Sequence, residues 1–498
     1  MNTMTLQIHP LDNVVVALRP LRAGETVGQI VLKNDIPLGH KIASRDIKMG
    51  EPVIKYGYPI GIAAVNIRQG EHVDEKNIKS TLRGKLESAT FNPQVKSQAC
   101  MQLRQFEYDG YVRPNGQVGS RNEIWIINTV GCVNHASTRI AETAAKALVG
   151  KGIDGVHAFP HPYGCSQLGD DLNYTQKVLA GLVNHPNAGG VLILGLGCEN
   201  NQMKLFLEQL GPQNRDRVRY FNAQEVSDEI ESGLDAVQAL AEYAQQFKRQ
   251  RVDARHLIPA MKCGGSDGLS GITANPLVGR VADRFTAGGA TVLLSEVPEM
   301  FGAEQVLLDR ACNREVFEDT IRLVNDFRSY FERYNQPIDE NPSPGNKAGG
   351  ISTLAEKSLG CVQKGGDAPV KQVLGYGQPA RAGLGGLALV NAPGNDGVSC
   401  TAMTVAGAHV ILFTTGRGTP MGFPVPTLKI STNTDLATRK PQWIDFDAGR
   451  LISEGISAEE LADQLTQLVL DVASGRKQTR NEQHGYREIA IWKDGVTV

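Results

Sequence analysis

The hydrophobic rhythm of the chain changes near residue 83. Before it, short apolar runs such as NVVVAL, PVIKYG and GIAAVNI are cut by Gly and Pro turns without a helical period, which predicts a small all-β module over 1–83. Residues 84–109 are polar and weakly patterned, as an interdomain linker is. Apolar runs of strand length then alternate with amphipathic stretches of helical length. The pattern predicts strands over 124–130, 154–159, 190–196 and 218–222 and helices over 136–149, 171–184, 200–210 and 225–249. Such alternation implies a parallel, doubly wound sheet in a first α/β domain over 110–250. A second α/β domain over 251–498 opens with strand HLIPAM. It continues with a helix over 275–288, strand ATVLLSEV and a long helix over 313–334. Strands LALVNA, HVILFTTG and TLKIST and an amphipathic helix ending near 473 follow. Between them, NQPIDENPSPGNKAGG at 335–350 has too many prolines and glycines for regular structure and reads as a loop, ordered for function or flexible.

Four strand-like runs end in a cysteine beside a glycine, with a polar stretch that can open a helix next. These are Cys132, Cys165, Cys198 and Cys263, at intervals of 33, 33 and 65 residues, the length of one or two βα units. Parallel strands would gather them at one carboxyl edge, where open α/β sheets bind ligands. The pattern therefore points to a site with thiol ligands or a thiol nucleophile. Each cysteine could instead be a small buried hydrophobe. Neither zinc-ribbon nor compact ferredoxin spacing is present, and Cys263, opening the second domain, faces the others across a domain boundary. The expectation is that some subset binds metal, with Glu199 beside Cys198 as a harder oxygen donor. Cys100, Cys312 and Cys400 read as structural.

Composition removes several classes. With 498 residues, 51 basic and 53 acidic side chains and a formal net charge of −2, the chain has no polyelectrolyte character, so nucleic acid and charged membrane surfaces are poor partners. No run is long enough to span a bilayer, and MNTMTLQIHPLDN lacks the pattern of a signal peptide. The expected location is cytoplasmic, where eight cysteines stay thiols, packers or metal ligands.

Two histidines lie among turn residues rather than on apolar faces: His161 in FPHPYGCSQ and His40 in PLGHKIA. Either could move a proton or ligate a metal, or simply brace a loop. The glycine-rich turns CGGSDGLSGITANP and TTGRGTPMG could present N–H groups to an anion, with Arg417 as a carboxylate fork, or could only turn the chain. GLGCEN begins like a dinucleotide fingerprint, but Asn200 replaces its third glycine.

The blocks RPNGQVGSRNEIW, HPYGCSQLGDD, GLGCENNQ, CGGSDGLSGITANP, SEVPEMFGAEQ, NPSPGNKAGG and FTTGRGTP resemble the altronate and galactarate dehydratase family almost end to end. HPYGCSQLGDD, GLGCENNQ, VPEMFGAEQ and APGND are similar to its altronate branch, and PLGHKIASRDI with PVIKYGYPIG resembles its N-terminal β-clip, SAF-like module. The resemblance implies an α/β protein with that module followed by two α/β blocks of mostly parallel sheets. It implies dehydration of D-altronate to 2-dehydro-3-deoxy-D-gluconate with ferrous iron (Fe2+), for which Mn2+ could substitute. A mononuclear ion and an iron–sulfur cluster both remain open. The expected acid and base are His40 and His161, if the β module closes over the sheet edge. Arg121, Lys347 and Arg417 are expected to hold the sugar-acid carboxylate or hydroxyls, and Ser266, Asp267 and Asn275 its hydroxyls. The metal ligands are expected among Cys132, Cys165, Cys198, Glu199 and Cys263. Galactarate or another sugar acid is the alternative substrate, and a non-catalytic sugar-acid binding protein the alternative class. A homo-oligomer is compatible with either.

Overall fold

The computed structural model describes residues 4–86, 89–91 and 105–497; Cys100 and much of the expected linker lie outside the described residues. Residues 5–79 form short antiparallel ladders. Four strands (Thr5–Leu6, Val14–Ala17, Lys41–Ala43, His72–Val73) make one sheet, Thr26–Val27 pairs with Ile30–Val31, and Pro52–Lys55, Tyr58–Ala63 and Ile78–Lys79 make another. This all-β module does not stand apart, since its Val14, Ala43, Val53 and Ile60 share one apolar cluster with Val297, Leu354 and Leu359 of the body.

The first parallel sheet runs in the order Gly155–Ala158, Glu123–Asn128, Ala188–Gly195, Val218–Asn222. Side-chain alternation gives it two apolar faces. Ile124, Ile126, Leu192 and Leu194 pack under helices Asn134–Leu148 and Glu229–Ala244, while Trp125, Ile127, Val191 and Ile193 pack under Gly169–Val183 and Met203–Leu210. All eight residues of Ala188–Gly195 are buried, as a central parallel strand requires. The helix expected to reach 249 stops at Ala244, because Arg249–Asp253 pairs antiparallel with Glu107–Val112 at the end of the expected linker. Val118–Gly119 completes that small sheet.

The second sheet has seven strands, all parallel, in the order Val370–Leu374, Gly386–Val390, Thr291–Leu294, Pro259–Cys263, Val410–Thr415, Thr427–Ser431, Phe446–Asp447. Helices Ala274–Ala287, Arg314–Arg333 and Ala458–Ala473 match the sequence pattern. Side-chain caps fix two starts: Asn313 accepts from the Val316 N–H and Ser457 from the Glu460 N–H. Two helices of eight or more residues have no counterpart in the pattern, Leu354–Cys361 and Asp396–Val405; every residue of the first is buried and nearly every residue of the second. The 335–350 segment, expected to lack regular structure, contains a helical turn at Pro344–Ala348, which Pro344 opens. Among the described residues no helix is long and apolar enough to cross a membrane.

Candidate active site at the second sheet edge

The four strand-end cysteines do not share one edge. Cys132, Cys165 and Cys198 lie beyond the carboxyl ends of first-sheet strands, whereas Cys263 ends the central strand of the second sheet. Only one group of three Cys, His, Asp or Glu among the described residues brings its ligand atoms within 4.8 Å of one another: Cys263, Glu299 and Cys361.

Three elements assemble it. Strand Pro259–Cys263 delivers Cys263, the turn Val297–Met300 after strand Thr291–Leu294 delivers Glu299, and helix Leu354–Cys361 delivers Cys361 at its last residue. The Cys361 Sγ lies 3.4 Å from Cys263 Sγ and 3.0 Å from Glu299 Oε2. Glu296 precedes the turn in the left-handed region at φ +69, a strained conformation for a side-chain-bearing residue. There its carboxylate accepts from the Cys263 N–H at 2.9 Å and pairs with Lys262.

The surroundings are ionic and mostly buried. Lys357 pairs with Glu299 at 2.8 Å, Lys262 with Asp396 at 2.9 Å, and Lys364 stands 3.9 Å from Glu296. Three lysines thus offset three carboxylates, leaving room for two thiolates and a dication without net charge. The hydrogen bond from Cys361, followed by Lys364 and Lys357, holds the Cys263 thiol below its ordinary range despite burial. Cys361, lending that bond and buried, is pushed up. Burial and the neighbouring Glu299 push Glu296 up, while for Glu299 burial is outweighed by Lys357, Lys262 and Lys364, which hold its carboxyl down. The group is therefore preset as thiolate, thiol and carboxylate at neutral pH. Two soft donors and one hard one fit a borderline or soft divalent ion such as ferrous iron or zinc.

Cys263 and Glu299 open on a cavity of about 540 Å³, lined also by Asn346, Lys347, Lys357 and Asp396. Of the expected residues, Lys347 lines it and has no ion pair among the described residues. Ser266 reaches the group through its Oγ, 2.7 Å from Cys263 Sγ. Arg417 is exposed and donates to Gly345 O at 2.7 Å, bracing the Pro344–Ala348 turn. Asp267 is spent on Thr432, Asn433 and Ser270, and Asn275 ties Gly360 O to Thr414. His40 arrives from the β module: its Nδ1 is 2.9 Å from His72 Nε2, its Nε2 3.3 Å from Ala348 O, and His72 stands 3.4 Å from Asp74. Gly268 lets this docking be close, because a Cβ on it would fall 1.9 Å from Gly39 O.

Other expected residues lie elsewhere. Both ring nitrogens of buried His161 serve the backbone: Nε2 bonds Asn128 O at 2.9 Å and Nδ1 accepts from the Tyr163 N–H at 3.2 Å. That geometry braces a loop. Arg121 precedes its strand, so it is at the amino end of the first sheet, bound to Glu482, Ser120 O and Val472 O. Glu199 closes its own turn by accepting from Thr129 Oγ1, Leu196 N and Gly197 N. Conversely, Cys361 and Glu299 escaped the sequence pattern. Cys361 ends a helix rather than a strand, and a helix buried on all sides shows no apolar period. The one available signal for Glu299 was its place just after strand ATVLLSEV.

Three family models match in series: an altronate/galactarate dehydratase SAF domain over 3–81, a D-galactarate dehydratase/altronate hydrolase second domain over 110–245, and a D-galactarate/altronate dehydratase C-terminal domain over 254–497. The chain is 48% identical to altronate dehydratase of Escherichia coli and 45% identical to that of Bacillus subtilis, covering 99% of each chain in both cases. It is 33% identical to galactarate dehydratase (L-threo-forming) of Escherichia coli over 98% of this chain and 96% of that one.

Proposed function

The chain belongs to the altronate/galactarate dehydratase family, and from that premise we propose that it dehydrates D-altronate to 2-dehydro-3-deoxy-D-gluconate in the cavity beside Cys263. It is a sugar-acid hydro-lyase. The observation that carries the site assignment is the Cys263, Glu299 and Cys361 group opening on a cavity with two ammonium groups, Lys347 and Lys357.

The difficult step is removal of the C2 proton, because negative charge then builds on a carboxylate that is already an anion. Lys347 and Lys357 oppose that charge from the wall of the cavity. A divalent ion, in our reading ferrous iron with manganese as a substitute, would be held by Cys263, Cys361 and Glu299 and supply Lewis acidity when bound. Burial, then the neighbouring His72, lowers the His40 pKa, so its ring is neutral near pH 7, and it becomes a proton acceptor once substrate displaces its 3.3 Å contact to Ala348 O. As the C3–O bond breaks, the hydroxyl takes the proton that His40 carried from C2 and leaves as water. The enol left behind tautomerises to the 2-keto acid. All seven described cysteines are free thiols, which suits work in the reducing cytoplasm.

The test is anaerobic incubation with ferrous iron and D-altronate or galactarate while 2-keto acid is followed. Faster turnover of altronate is expected. Saturable altronate binding without keto acid would return the protein to the class of sugar-acid binding proteins.

A further inference from the structure

The Cys263 site leaves four exposed thiols unused, Cys312 and three that follow neighbouring strands. Cys132, Cys165 and Cys198 follow the carboxyl ends of three adjacent parallel strands, Glu123–Asn128, Gly155–Ala158 and Ala188–Gly195. Their loops are stitched together. Gly131 N donates to Tyr163 O at 2.9 Å, Asn201 N to Gly164 O at 2.9 Å, Ser166 N to Asn200 Oδ1 at 2.7 Å and Asn201 Nδ2 to Thr129 O at 3.0 Å. Residues one to three positions from one cysteine are thus bonded to residues one to three positions from the next, which holds the three cysteine-bearing loops together at one sheet edge.

The backbone is specialised to present them. Gly164 and Ser166, on either side of Cys165, both lie in the left-handed region at φ +100 and +57. A Cβ at Gly164 would fall 2.0 Å from Thr129 O, so only glycine lets the loop approach so closely. Ser166 retains strain of about 1–2 kcal/mol, which points to a conformation held for use. His161 pins this loop to the strand end at Asn128. Two residues after Cys165, the buried Nε2 of Gln167 has no hydrogen-bond partner among the described residues.

We propose that Cys132, Cys165 and Cys198 are the three thiolate ligands of an iron–sulfur cluster seated on the first sheet edge, separate from the Cys263 group. A single ion draws thiolates to about 2.3 Å from itself, and these three do not form a group within 4.8 Å. A cluster fits wider spacing, because each thiolate binds a different iron. Exposure of the patch leaves a remaining iron open to an oxygen ligand such as water or a carboxylate.

Full-length protein reconstituted anaerobically with ferric iron, dithiothreitol and sulfide is the material for the test. Acid-labile sulfide, visible absorption and the paramagnetic signal after dithionite reduction are the readouts. Cys132→Ser, Cys165→Ser and Cys198→Ser should each lower bound sulfide at least about tenfold with unchanged circular dichroism. Cys263→Ser and Cys361→Ser should retain it. Iron without sulfide in the wild type overturns the cluster while leaving the Cys263 cavity intact. Sulfide that follows Cys263 and Cys361 instead of the three loop cysteines overturns it as well.

Discussion

Cys361 and His161 show how little a residue's type reveals until its partners are known. Cys361 is one of eight cysteines and has no strand-end context, yet its Sγ approaches both Cys263 and Glu299. Removing it should take away a donor and the bond that keeps Cys263 ionised. Cys361→Ala is expected to lose bound iron in equilibrium dialysis and to fall at least about 100-fold in kcat; wild-type iron content would refute its place in the ligand set. His161 has the turn context that suggested a proton carrier, but both its nitrogens are spent on the backbone. His161→Ala should cost about 1–3 kcal/mol in urea denaturation by leaving Asn128 O unsatisfied. Its pH–rate profile should keep the wild-type shape. His40→Ala should instead lower kcat by about 10²–10⁴ with its KM little changed, and a variant within tenfold of wild type would remove His40 from the chemistry.

At the scale of elements, helix Leu354–Cys361 decides whether the site exists. The β module grips it through Glu356, which receives Lys41 Nζ at 2.9 Å and Lys55 Nζ at 2.8 Å, all three side chains buried. Lys41 also donates to Gly350 O and Ser352 Oγ, and Thr353 Oγ1 to Ile60 O at 2.5 Å. Glu356→Ala would strand two buried ammonium groups, at a cost of about 3–5 kcal/mol. A lower denaturation midpoint accompanied by weaker iron retention is expected, because the same helix carries Lys357 and Cys361. Undiminished iron affinity in a destabilised variant would show that the helix is held without this triad. Sequence pattern found the amphipathic helices, such as Arg314–Arg333, since one face of each meets water. It missed this one because burial on every side erases the contrast that a period needs.

For the whole molecule, the two sheets are locked by buried neutral histidines. His185 Nε2 bonds Ala408 O at 3.0 Å, while His409 Nε2 bonds Val118 O at 2.7 Å and its Nδ1 accepts from Ile258 N at 3.0 Å. Burial, then His409, lowers the His185 pKa to about 3, and burial lowers that of His409 to about 4. Below about pH 6.5 the unfolded chain takes up protons that the folded chain refuses, so their stabilisation is complete above that pH and declines on acidification towards pH 3. The decline should reach about 1.4 kcal/mol per pH unit for each histidine. Urea midpoints between pH 7 and 4.5 measure it, and a flat profile would contradict the locked junction. Deleting residues 1–83 should likewise yield an inactive body with a lower melting temperature, since it uncovers Glu356 and part of the shared core; full activity would free the module from the mechanism.

Local physics made much of this protein readable from its sequence. Gly- and Pro-cut β runs, alternating strand and helix periods and cysteines at strand ends all follow from what short segments must bury, and they specified the β module, the parallel sheets and the carboxyl edges where chemistry belongs. Which strands share a sheet was settled only by packing over long separations. Tertiary packing placed Cys263 with Cys361, nearly a hundred residues further along, and left Cys132, Cys165 and Cys198 together on another edge. The reason is physical: a ligand group is defined by distances between side chains, and those are set by buried pairings such as Lys41 with Glu356, which carry no periodic trace along the chain.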